Sequence, residues 1–169
     1  MNVQFPDARI VHRLDMETSG LMILARSASS HRILSSQFQS RTVQKEYVAC
    51  VAGRPGSPDG TIELPLISDW PNRPRQKVDF ERGKPSTTHW RTISNSDDAA
   101  RLLLQPVTGR SHQLRVHLNA IGHPILGDSL YGTPQSMAAA QRLQLHASRV
   151  VFLCPQSGQT RDFTCAVPF

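Results

Sequence analysis

Three cysteines, none in a Cys-x-x-Cys spacing, leave this chain without a disulfide framework and without the ligand pairs of a structural zinc site. The odd number fits a reducing cytoplasm, and Cys50, Cys154 and Cys165 read as small apolar residues in strands. Long apolar runs are missing too. The longest uncharged one, Leu21–Ala25, falls far short of the roughly 20 residues of a membrane span. Met1 to Pro6 has neither the basic nor the apolar region of an export signal. There is no internal repeat and no low-complexity tract. Lysine is scarce: of 19 basic residues, 16 are arginine and three are lysine.

That last imbalance leads to what is present. The net charge is +6, and it is carried by guanidinium groups, whose planar donors suit phosphate and stack on bases. A polyanionic partner fits this charge, and so does simple solubility. At 169 residues, 38% hydrophobic and 19% charged, the chain is one globular domain with enough length for a real core.

The pattern predicts an α+β fold. A polar loop from Val11 turns at Thr18-Ser19-Gly20 and feeds a buried strand over 21–25. Residues 28–40 are predicted as a helix with Ile33, Leu34 and Phe38 on one face. A strand follows over 43–51, with Val43, Lys45, Tyr47, Ala49 and Val51 sharing a face. Residues 71–85, rich in Arg, Pro and Lys, read as an exposed excursion. Strands over 87–93 and 101–107 flank a polar hairpin loop. A helix is predicted from Arg110 to Ile121 on the stripe Leu114, Leu118, Ile121, and a short one over 138–145. Strands over 149–154 and 160–167 close the chain. Hairpin-joined strands with interspersed helices predict a mixed, mostly antiparallel sheet with flanking helices.

Three stretches carry chemistry. Asp15 lies two residues after Arg13 and just before the Thr-Ser-Gly turn; an Asp there either bonds its own turn or faces a substrate. Tyr47, on an inward strand face, is core or catalytic. The run from Thr108 to His117 crowds Arg110, His112, Arg115 and His117 at a predicted helix start, where the dipole is already positive. It is either a solvated basic face or an anion site filled by RNA phosphate or a protein carboxylate. The seven histidines have no metal-ligand spacing: His112 and His117 are five apart, not four. Asp128 and Tyr131, between glycines, read as a structural turn.

Taken together these stretches resemble the RluA family of pseudouridine synthases over nearly the whole chain. The matching segments are His12-Arg-Leu-Asp15 through Thr18-Ser-Gly20, Lys45-x-Tyr47, Thr108-Gly-Arg-Ser-His-Gln-Leu-Arg-Val-His117, Gly122-His-Pro-Ile-Leu-Gly-Asp-Ser-Leu-Tyr-Gly132 and Leu145-His-Ala147. Asp69 to Val78 is similar to members that modify both a tRNA anticodon stem-loop and 23S rRNA. The resemblance implies Asp15 as nucleophile, Tyr47 as the active-site tyrosine and Arg115 as the cation paired with the aspartate. A guanidinium about 4 Å from Asp15 would contribute on the order of 4 kcal/mol before desolvation, at an effective dielectric near 20, and keep it charged.

Arg13, Thr18, Lys77, Arg110, His112 and Gln113 are the candidate RNA contacts. Uridine isomerisation moves no hydride and consumes no water, so neither an organic cofactor nor a metal is expected, and no obligate protein partner. Family members usually begin with a further strand and an Asn-Lys-Pro-x-Gly motif. Neither precedes His12, so the fold is expected to be shortened at its amino terminus, with an unpaired sheet edge. The competing readings are a non-catalytic RNA-binding module and a carboxylate-dependent nucleoside or glycoside hydrolase. For the hydrolase, no strong second carboxylate stands beside Asp15 and Glu17.

Overall fold

The computed structural model describes residues 5–169; the amino-terminal reading made for Met1 to Pro6 falls mostly outside them. Strands β4 (Gln44–Ala52), β5 (Asp59–Glu63), β8 (Thr87–Asn95), β9 (Ala99–Pro106), β10 (Leu145–Leu153) and β11 (Thr160–Thr164) form the main sheet. Their order is β11-β10-β4-β9-β8-β5 and every pairing along it is antiparallel. One short strand, β2 (Ser19–Gly20), runs parallel to β10 and makes the sheet mixed. The predicted α+β class and sheet type are those observed.

Alternation sets the core. On β9, Ala100, Leu102 and Leu104 point to one face and are 3%, 0% and 0% exposed. Ala49 and Val51 of β4 and Leu145 of β10 extend that face. Helix α2 (Gln113–Ala120) covers it with Leu114 and Leu118. Truncating Leu118, which is fully buried, would cost roughly 2–5 kcal/mol. Helix α1 (Ala28–Gln39) starts at Ser27, whose hydroxyl accepts from the Ser30 N–H (3.1 Å), and buries Leu34.

Several local expectations differ from what is observed. Of residues 21–25 only Leu24–Ala25 (β3) is strand, paired with Arg9–Ile10 (β1). Within the basic excursion, β7 (Gln76–Val78) pairs with β6 (Leu66–Ser68). This ribbon is anchored, because Leu66 and Val78 pack with Val116 and Tyr131 in a second small core. The helix expected from Arg110 begins at Gln113, for a reason given below. The helix expected over 138–145 is displaced to α3 (Pro134–Ala138), capped by Thr133 with proline in its first turn, and Leu145 instead joins β10. Cys50 is in β4, but Cys154 and Cys165 follow β10 and β11 rather than lying in them; all three are free. No helix among the described residues is long and apolar enough to cross a membrane.

Candidate active site

The loop bearing Asp15 is pinned at both ends. His12 Nε2 accepts from the Ile23 N–H (2.8 Å), and its ring stacks on Phe38 of α1 with centroids 4.4 Å apart. Burial, and then the charge of Lys45, push the His12 pKa down to about 4, so the ring is neutral. At the other end Gly20, at φ +109°, lies against β10 so closely that a Cβ would collide with the Ala147 carbonyl. Arg142 Nη2 donates to Ser19 Oγ (2.8 Å), which also bonds His146 Nδ1 (2.8 Å). The final motif, Leu145-His-Ala147, thus holds the loop. Its turn is closed by the backbone, Thr18 N–H to the Asp15 carbonyl (2.9 Å). The carboxylate is not used for that purpose and borders an open pocket of about 420 Å³. A pocket of this volume suits a nucleoside-sized ligand.

Tyr47 enters the pocket from β4, between Leu104 of β9 and Ala147 of β10. Burial first, and the Asp15 charge second, push its pKa up to about 12. Ionising it at pH 7 would cost about 7 kcal/mol, so the Tyr47 phenol is neutral at that pH. Arg13, Thr18 and Arg110 line the same pocket, as do Lys45 and Arg41. Sequence reasoning named neither of these last two as site residues. The signal for Lys45 was present, because it shares the Tyr47 face of an alternating strand; nothing local marked Arg41.

Gln113 lines the same pocket, and its amide is engaged within the protein. Its Oε1 accepts from Thr108 Oγ1 (2.7 Å) and the Arg110 N–H (3.0 Å), while Nε2 donates to the Thr87 carbonyl (3.0 Å) and Thr88 Oγ1 (2.9 Å). All four amide valences are filled inside the protein. This knot ties the 108–110 loop to β8. With His112 in the left-handed region at φ 53°, it is the reason α2 starts three residues late.

Arg115 is also relocated. It is 2% exposed and does not ion-pair with Asp15. Its Nε and Nη2 instead meet Asp128 at 2.8 and 2.6 Å, and Nη2 lies 3.7 Å from Glu17. Asp128, fully buried, also accepts from the Leu130 and Tyr131 N–H groups, both at 3.0 Å. A carboxylate that deep requires a counter-charge, and a bidentate guanidinium supplies it. Burial opposes charge on Arg115, but Asp128 foremost, then Asp15 and Glu17, raise its pKa. The turn assigned to Asp128 is real, and the anion beside Arg115 is a protein carboxylate.

His112 and Lys77 do not line the pocket. His112 Nδ1 bonds the Tyr131 hydroxyl (2.7 Å), which also accepts from the Gln76 N–H (2.7 Å) of the ribbon. Lys77 is exposed on that ribbon. Among the described residues no three His, Cys, Asp or Glu side chains are placed to hold a metal ion.

Comparison with known proteins gives this geometry its context. The sequence profile described as RNA pseudouridylate synthase matches residues 4–120. The chain belongs to that family. Relatives named "Dual-specificity RNA pseudouridine synthase RluA" include those of Salmonella typhi (48% identity, 98% of this chain, 76% of the relative) and Yersinia pestis (49%, 98% and 81%). Human RNA Pseudouridylate Synthase Domain Containing 1 superimposes with a TM-score of 0.87 at 30% identity, covering 99% of this chain and 72% of that one. The family's sheet therefore explains why Asp15, Tyr47 and the 108–113 loop converge although nearly 100 positions separate the first from the last.

Proposed function

We propose that this chain, acting through one catalytic domain, isomerises uridine to pseudouridine in structured RNA, with Asp15 as the nucleophile. The observation that carries the reading is a carboxylate left free by its own turn, facing a nucleoside-sized pocket beside Tyr47 and a set of cations. The reaction balances within the nucleotide: N1–C1′ breaks, the base rotates, C5–C1′ forms, the C5 proton leaves and N1 gains one. A carboxylate near C1′ or the ring stabilises the electron-poor partner while the bond is broken.

Extruding the base costs a few kcal/mol, and stacking on Tyr47 would return roughly 1–3. Arg115 acts through the field it exerts on Asp15, held in place by Asp128. Arg13, Thr18 and Arg110 at the pocket, and Lys77 on the ribbon, meet the RNA. His112 positions the loop through Tyr131.

The relatives are named for dual specificity toward RNA, and the two substrates we favour are a tRNA anticodon stem-loop and 23S rRNA. Action on both would place the protein in the cytoplasm. RNA carrying tritium at uridine C5 tests the reading. Label release that vanishes in Asp15→Ala supports isomerisation, whereas free uracil among the products, or binding without release, would overturn it.

A further inference from the structure

Lys45 is the one ammonium in the pocket, and among the described residues nothing pairs with it. It stands two residues before Tyr47 on β4, on the same face and roughly 7 Å along the strand. Its stem is enclosed, and burial first, then the charge of Arg41, pull its pKa down. Nζ borders Gly109, where a Cβ would lie 3.7 Å away. The neighbouring carboxylate, Glu46, faces the other way and is held by Arg149 (3.2 Å) and Gln105 (3.1 Å). His12 is neutral and offers no anion, and its Nε2 is taken by Ile23.

Arg41 adds an independent observation. It adopts φ 62°, a left-handed conformation uncommon for a residue with a side chain, just after α1, and from there it lines the same pocket. Lys45, Arg41, Arg13 and Arg110 thus face a pocket whose lining contains a single carboxylate, Asp15. A desolvated, unpaired ammonium is costly unless an anion meets it. If uracil stacks on Tyr47, one ribose separates it from the position Lys45 commands.

We propose that Lys45, supported by Arg41, forms a subsite for a backbone phosphate flanking the extruded uridine. This rests on the function proposed above and extends it to the contact that seats the nucleotide. Lysine suits the task as a point charge that needs no bidentate geometry.

The test is a cycle between protein and RNA in an Asp15→Asn background. The probe is a tRNA anticodon stem-loop, and copies carry a neutral methylphosphonate either 5′ or 3′ of the target uridine. Lys45→Met is expected to weaken binding of the all-phosphate RNA by roughly tenfold or more, with Lys45→Arg within a few-fold of the parent. One methylphosphonate RNA should be bound equally by parent and Lys45→Met. An equal loss against all three RNAs would overturn the subsite. Should Lys45→Met fail to fold, as judged by thermal unfolding, Arg41→Gln, a change at an exposed residue, is run through the same cycle under the same criterion. Tritium release is scored separately on the unmodified chain. Binding through Lys45 without release would sink the enzymatic reading and leave the subsite standing.

Discussion

The Arg115 guanidinium grips the Asp128 carboxylate, and not that of Asp15, through two parallel hydrogen bonds at 2.8 and 2.6 Å. A buried carboxylate of the protein therefore fixes the position of this guanidinium.

Breaking that pair from one side leaves a buried charge alone. Asp128→Asn is expected to lower stability by about 3–5 kcal/mol, measured by urea unfolding. A loss under 1 kcal/mol would mean that Arg115 finds adequate compensation from Glu17.

Asp15→Asn should abolish tritium release while leaving RNA affinity within several-fold, because the amide keeps the shape of the carboxylate and the cations around it. Filter binding and label release on the same preparation check this. Retained turnover would remove Asp15 from the nucleophile's role.

His12 ties stability to acidity. Its folded pKa is pushed down to about 4, by burial and then by Lys45, against an ordinary value of 6.5. Between those values the unfolded chain binds a proton that the folded chain refuses. The stabilisation is complete above pH 6.5 and is lost as pH falls toward 4, by on the order of 2 kcal/mol after allowance for the ring's partial exposure. His12→Gln should flatten that part of the pH–stability curve; an unaltered slope would assign it to His112, His117 and His146, whose pKa values are also lowered.

Both tyrosines resist ionisation when folded, Tyr47 with a pKa pushed up to about 12 and Tyr131 raised mainly by burial. A phenol whose folded pKa is raised favours the folded state below pH 10 and loses that contribution as pH climbs toward 12. Absorbance titration of the native protein should show little phenolate at pH 10. Half-ionisation at that pH would restore Tyr47 as a candidate base.

Tyr131 is the strut between the basic ribbon and the 108–112 loop. Tyr131→Phe removes the partner of both the Gln76 N–H and His112 Nδ1. Hydrogen exchange at Gln76 should accelerate about tenfold or more, with the β9 amides of Leu102 and Leu104 unchanged. Equal acceleration everywhere would indicate global destabilisation and no specific tether.

The strands of the main sheet were legible because burial alternates with a period of two: Ala100, Leu102 and Leu104 announce their face without help from the rest of the chain. Lys45 and Tyr47 share a face for the same reason. The start of α2 was not legible, since the Arg110–Ile121 stripe is compatible with a helix from its first residue. Only the four bonds of Gln113, two of them to β8, halt it at residue 113. The anchoring of the exposed 71–85 excursion was not legible, because Tyr131, whose hydroxyl accepts from the Gln76 N–H, lies 55 positions away.

By itself the amino-acid order determined the family and the sheet type, since periodicity and motif spacing are local properties that survive without a fold. What the tertiary structure alone decided was partnership: Arg115 with Asp128 and not with Asp15, the Gln113 amide with Thr88 and Thr108, Lys45 with no protein group among the described residues. A charge or an amide selects its partner by distance and burial after distant segments have met, and neither quantity exists until the chain has folded.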